Sequence, residues 1–175
     1  MNISIINYKF FSQKYIIYES NGIGKEYIGY NDKLIFEGEY SNGERNGKGK
    51  EYHYNGRLKF EGEYLNGKRN GKGKEYDYRY EKLEFEGEFL NGKRNGKGKE
   101  YNLFTGKLRF EGEYLNDKEW IGTRYDKDGK IIYELNNNIN GKGKEYDENG
   151  ELKFEGEYLD GKRNQKEKEY LCMIN

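Results

Sequence analysis

The chain has no proline, a single cysteine, a single histidine and no excess of either charge sign. Each scarcity excludes something. A lone Cys172 forms no intrachain disulfide, which points to a reducing, cytoplasmic setting and reads as a surface thiol without a role. His53, beside a turn, has no second histidine or nearby thiol to share a metal, and it reads as a solvated turn residue rather than a general base. The formal net charge of zero, from 32 basic and 32 acidic residues, leaves no uncompensated basic patch, so nucleic acid is not an expected partner. Long hydrophobic runs are also missing. Met1 to Tyr18 is rich in Ile, Tyr and Phe, but Asn7, Lys9, Gln13 and Lys14 interrupt it and no small-residue cleavage site follows, so it reads as capping strands rather than a leader or a membrane span. The Asn2-Ile3-Ser4 triplet reads as a chance match to a glycosylation site. With 33% hydrophobic residues, a spherical core is out of reach.

What is present is ordered. Aromatic residues reach 17% and charged residues 37%, together with 25 glycines, and all follow one recurring pattern, which separates the chain from disordered sequences of similar polarity. The best copy is Leu58 to Tyr76. Leu58, Phe60, Gly62 and Tyr64 alternate with Lys59, Glu61 and Glu63, the period of two of a β-strand. After a loop read as Leu65 to Asn70, Gly71 to Tyr76 alternates again. The repeat is therefore a β-hairpin.

Glycine sets the expected register. Gly24, Gly38, Gly49, Gly62, Gly73, Gly87, Gly98, Gly112, Gly122, Gly143 and Gly156 fall near the centres of successive strands, and the simplest sheet opposes them. Opposing Gly49 to Gly62 centres a turn on Asn55-Gly56, opposing Gly143 to Gly156 centres one on Asn149-Gly150, and opposing Gly122 to Leu135 centres one on Asp128-Gly129. These pairs suit two-residue type I′ turns. The register sorts the side chains into two faces. One is a lattice in which Glu61 lies between Lys50 and Lys74, Glu63 between Lys48 and Lys72, and Glu86 and Glu88 between those lysines and Lys99 and Lys97. The other carries Phe36, Phe60, Phe85, Phe110, Tyr133 and Phe154 in one row and Tyr40, Tyr64, Phe89, Tyr114 and Tyr158 in a second, with glycines between on which rings can lie. Trp120 is expected opposite Tyr114.

Along the chain, residues 1–33 form an N-terminal cap and partial repeat, and residues 34–118 hold regular copies starting at Leu34, Leu58, Leu83 and Leu108. Residues 119–140 are a degenerate copy, and residues 141–175 hold the last repeat and a C-terminal cap. Tyr78 to Lys82 and Leu103 to Lys107 read as three-residue turns. Gln165, Glu167 and Glu169 end the glycine comb, and Leu171, Met173 and Ile174 are placed over that end. The expected fold is all-β: an elongated single-sheet antiparallel meander of β-hairpin repeats, each advancing about 10 Å.

The arrangement Phe60-x-Gly62-x-Tyr64, Asn66-Gly67 and Asn70-Gly71-x-Gly73 resembles the MORN repeat, a short β-hairpin module. Phe stands where that motif has Tyr, Tyr or Phe where it has Trp, and Asn46, Asn70 and Asn95 where it has His. The departures are also similar to divergent MORN-like repeats of bacterial antitoxin-type proteins. The resemblance implies a grooved sheet that scaffolds proteins, dimerises or lies beside membranes.

No catalytic constellation stands out. Glu61 and Glu63 recur in every copy beside lysines, and the Gly-Lys-Gly-Lys runs lack both phosphate-loop spacing and a following helix. No cofactor or metal is expected. The leading expectation is a non-enzymatic scaffold holding a protein partner on its aromatic–glycine face, through Phe36, Tyr40, Phe60, Tyr64, Phe85, Phe89, Phe110, Tyr114, Trp120, Phe154 and Tyr158. Two alternatives stand beside it: association with anionic lipid through the lysine rows at a membrane periphery, and an antitoxin or immunity role.

Overall fold

A computed structural model describes residues 5–9, 14–19, 21–29, 31–136, 141–159 and 162–164. The chain divides into two compact units, Met1–Lys93 and Arg94–Asn175. The first holds β1 (Ile5–Lys9), β2 (Lys14–Tyr18), β3 (Ile23–Ile28), β4 (Lys33–Ser41), β5 (Glu44–Tyr52), β6 (Leu58–Leu65), β7 (Lys68–Tyr76) and β8 (Leu83–Leu90). The second holds β9 (Lys93–Tyr101), β10 (Leu108–Leu115), β11 (Lys118–Tyr125), β12 (Ile131–Asn136), β13 (Lys142–Tyr146), β14 (Leu152–Leu159) and β15 (Lys162–Arg163). In each unit every strand pairs antiparallel with the next in chain order, and the described residues contain no helix. The fold is an all-β array of hairpins.

The glycine register is observed. Gly62 lies opposite both Gly49 and Gly73, Gly38 opposite Gly24 and Gly49, and Gly112 opposite Gly98 and Gly122. Where the comb is interrupted, the Leu135 position faces Gly122 and Gly143. Close packing accounts for the register. A Cβ built on Gly62 would come within 2.6 Å of the Gly73 Cα and 2.7 Å of the Phe60 ring, so only glycine lets the ring rest on the backbone.

The turns differ from the sequence expectation in an instructive way. Asn55-Gly56 is not the centre of a two-residue turn. His53 N–H donates to the Arg57 carbonyl and Gly56 N–H to the His53 carbonyl, which makes a three-residue loop of a type I turn closed by Gly56 at φ +84°. Asp126–Lys130 and Asp147–Glu151 repeat that pattern, with Gly129 and Gly150 in the glycine role. The loops at 78–81 and 103–106 are four residues long rather than three. Each loop thus has one residue more than the comb requires, and a bulge in the following strand absorbs it, as at Lys59 between the pairs Glu51–Phe60 and Tyr52–Leu58. That bulge brings Lys59 to the ring side, where its Nζ lies 3.6 Å from Glu51, so alternation does not extend through the start of β6.

The two-residue turns sit where the sequence suggested a six-residue loop. Asn66 and Gly67 have φ of 50° and 77°, Asn42 and Gly43 have 50° and 78°, and Leu65 pairs directly with Lys68. Gly62 pairs with Gly73 but Tyr64 with Arg69, so β7 carries two extra residues against Glu63. An even excess keeps side-chain alternation in phase. Glu63 therefore pairs with Lys48 as expected but has no direct partner in Lys72, which pairs with Glu88. Trp120 also differs from expectation: Tyr114 pairs with Glu119 and Glu113 with Ile121, which leaves Trp120 as the extra residue of a bulge. The readings made for Asn2-Ile3-Ser4, Gln165, Glu167, Glu169, Leu171, Cys172, Met173 and Ile174 lie outside the described residues.

Candidate functional site

Strand alternation brings the predicted ring rows to one side, and packing then buries them. Phe36, Phe60 and Phe85 are 0% exposed, and Phe89, Phe110, Tyr114, Phe154, Tyr64 and Tyr158 are also buried; Tyr40 and Trp120 are half-buried. The rings pack edge to face. Phe60 meets Tyr64 at 5.6 Å and 87°, and Phe89 of the next hairpin at 5.1 Å and 87°; Phe36 meets Tyr64 at 5.1 Å and 83°. Rings read from the sequence as facing a partner are thus the core of the chain. The reason is a layer of arginines that the sequence reading left unassigned.

In β7, Arg69 lies flat over Phe60, its guanidinium carbon 4.1 Å from the ring centroid. Its Nε and Nη2 donate to Glu51 at 3.2 and 2.8 Å, and its Nη1 donates to Glu75 at 2.6 Å. Glu51 and Glu75 are the two cross-strand neighbours of Phe60, so one guanidinium closes over the ring and ties three strands together. Arg45 repeats the arrangement over Phe36 at 4.1 Å, bonded to Glu26 at 2.6 Å. In the second unit Arg163 covers Phe154 at 4.6 Å and bonds Glu145. Tyr64 and Tyr158 donate their hydroxyls to Glu51 and Glu145. Burial alone would raise the Glu51 carboxyl, but the Arg69 fork, the Tyr64 hydroxyl and Lys59 outweigh it and bring its pKa down to about 2. Burial and the adjacent Glu51 carboxylate push the Tyr64 phenol above its ordinary range, so it stays a neutral donor.

The opposite side is the expected lattice. Glu61 faces Lys50 and Lys74, Glu63 faces Lys48, and Lys74 comes within 3.7 Å of Glu86. Lys72 faces Glu88, Lys97 faces Glu113, and Lys99 approaches Glu111 at 3.6 Å. One component was missed: the tyrosine that ends each Gly-Lys-Gly-Lys-Glu-Tyr run. Tyr52 donates to Glu37 at 2.5 Å, Tyr76 to Glu61 at 2.6 Å and Tyr146 to Glu134 at 2.6 Å. Burial and the Glu61 carboxylate push the Tyr76 phenol up to about 12.

Exposed apolar side chains lie at the turns. In the first unit Tyr54 is 66% exposed and Tyr78 54%, with Tyr80 nearby in the same loops, and Leu65 and Leu90 are exposed at the strand ends on the opposite margin. His53 is not freely solvated as read from the sequence. Its ring sits edge-on to Tyr78 at 5.1 Å, and its Nε2 is buried with no hydrogen-bond partner among the described residues.

The degenerate copy breaks the arginine layer. At the position of Arg69, β11 carries Glu119, and at the position of Glu75 it carries Arg124, so the charges are exchanged. Arg109 leans over from the β10 bulge to bond Glu100 at 2.6 Å and Glu119 at 3.0 Å, while Arg124 bonds Glu119 at 2.5 Å. Beyond it lies a cavity of about 410 Å³ lined by Phe110, Glu119, Arg124, Ile132, Tyr133, Glu145 and Tyr158.

The family model described as the MORN repeat matches residues 36–56, 60–78, 85–101 and 135–151. No curated protein matches the chain. The first three segments begin at the buried rings Phe36, Phe60 and Phe85, and an arginine and the glycine comb enclose the first two of these. The fourth begins at Leu135, within the degenerate copy.

Proposed function

This chain is a MORN-repeat protein, and we propose that it is a non-enzymatic scaffold that holds another protein. No helix among its described residues is long and apolar enough to cross a membrane. The reading rests on repetition. The same ring, glycine, arginine and glutamate recur in successive hairpins, and these polar groups are satisfied by one another, Arg69 by Glu51 and Glu75, and Tyr64 by Glu51. Such an arrangement builds a stiff, repeated surface. The partner lies along the ring side. It meets the Arg–Glu layer rather than bare rings, with Phe36, Phe60 and Phe85 as the rigid floor. The exposed Tyr54, Tyr78 and Tyr80 form an apolar margin in the first unit, which marks an interaction surface.

Affinity capture from the native cell, read by mass spectrometry, tests this. The exposed tyrosines can be changed without disturbing the core, so Tyr54→Ser combined with Tyr78→Ser is expected to keep the melting temperature and to weaken capture about tenfold. Undiminished capture by that folded variant overturns the margin. The lysine side of the sheet offers an anionic membrane little net charge, because glutamates face its lysines. Capture that survives in that variant, together with salt-sensitive sedimentation on phosphatidylserine vesicles, would move the function to the lipid reading. A captured toxin neutralised by the chain would specify the antitoxin reading.

A further inference from the structure

We propose that the cavity over Tyr133 receives an arginine side chain from the partner protein. This deepens the scaffold reading and rests on it. The chain itself supplies the template. Arg45, Arg69 and Arg163 each lie over a phenylalanine at 4.1 to 4.6 Å and fork to the glutamate beside it.

Tyr133 holds the corresponding position in β12, with Arg124 and Glu145 as its cross-strand neighbours. Among the described residues no guanidinium lies over its ring. Counting back from the Gly-Lys-Gly-Lys-Glu-Tyr run that starts at Gly141, the sequence has Ile139 where regular copies have Arg45 and Arg69. The ring is half-buried rather than buried and stands edge-on to Tyr158 at 5.6 Å and 86°.

The carboxylates repeat the message. Glu51 meets Arg45 and Arg69, Glu100 meets Arg94 and Arg109, and Glu119 meets Arg109 and Arg124. Glu145 meets Arg163, with Lys153 contributing at longer range, and no described arginine approaches it from the Tyr133 side. Arg124 lines the same cavity, and its charge is engaged by Glu119. An incoming guanidinium therefore has a ring to stack on and a carboxylate that elsewhere in the fold takes a second guanidinium. Lysine matches this less well, since a compact ammonium does not lie flat on a ring as a guanidinium does.

The test uses the full chain and three capped tripeptides, acetyl-Gly-Arg-Gly-amide and its lysine and citrulline counterparts, titrated against backbone amide NMR signals. Saturable shifts centred on Tyr133 and Glu145 are expected, with the arginine peptide binding about tenfold tighter than either counterpart. Tyr133→Phe keeps the ring and is expected to retain binding. Tyr133→Ser removes the ring while leaving the Glu145–Arg163 pair in place, and it is expected to lose selectivity for arginine. Equal shifts from the three peptides, or shifts centred elsewhere, overturn the proposal whether or not the serine variant folds. A partner captured equally by the folded Tyr133→Ser variant and the unaltered chain removes the cavity from the interface and leaves the scaffold reading standing. Selective arginine binding with no partner captured would do the reverse.

Discussion

A single arginine such as Arg69 does three jobs: it covers Phe60, neutralises Glu51 and Glu75, and joins β5, β6 and β7. Its value depends on the glutamates staying ionised. Glu51 titrates at about 2 in the folded chain against an ordinary 4.5, so its contribution is fully present above 4.5 and is lost as pH falls toward 2. The Glu145 carboxyl is lowered too, chiefly by its hydrogen bond from Arg163. Melting temperatures measured across that interval are expected to fall steadily in acid, and a flat profile would mean the Arg–Glu layer adds nothing to stability. The layer was hard to read in advance. In Lys-Arg-Asn-Gly, Lys68 and Arg69 are neighbouring cations with nothing local to mark one as the cover of a ring. Gly62 was legible because its position midway between Phe60 and Tyr64 recurs without exception in the regular copies.

At the scale of the hairpin, two Asn-Gly pairs with the same residues do different work. Asn66 has φ 50° and is one of the two left-handed residues of a tight turn, whereas Asn55 precedes the only left-handed residue of its loop and accepts a 3.1 Å bond from Arg57 N–H. Asn66→Ala is therefore expected to cost about 1 to 2 kcal/mol and Asn55→Ala under about 1 kcal/mol in denaturant melts. Equal losses would contradict the turn assignment. The sequence reading chose the wrong pair for the tight turn because the glycine comb alone fixes only the sum of paired positions. Bulges on either side, at Lys59 and opposite Glu63, are invisible to that sum.

At the scale of the molecule, each hairpin of the first unit leans on its neighbours through the same contacts, Phe36 on Tyr64 and Phe60 on Phe89. A repeat that meets its copy as it meets its neighbour can be inserted. Duplicating residues 58–82 after Lys82 is expected to give a folded chain whose cooperative melt, followed by circular dichroism, lies at or above that of the parent. A lower or broadened melt would show that the copies are not interchangeable. The degenerate copy is the exception: among the described residues, no guanidinium lies over Tyr133.

Sequence by itself determined the strands, the antiparallel order, the opposed glycines and the division into an ionic and a ring-bearing side, because all four follow from a period of two and from the one residue small enough to sit under a ring. Tertiary structure alone decided which cations turn toward the rings, how many residues each turn takes up, and how deeply the rings are enclosed. Those outcomes depend on side chains from three strands meeting at one place, and the order of residues along any one strand does not contain that meeting.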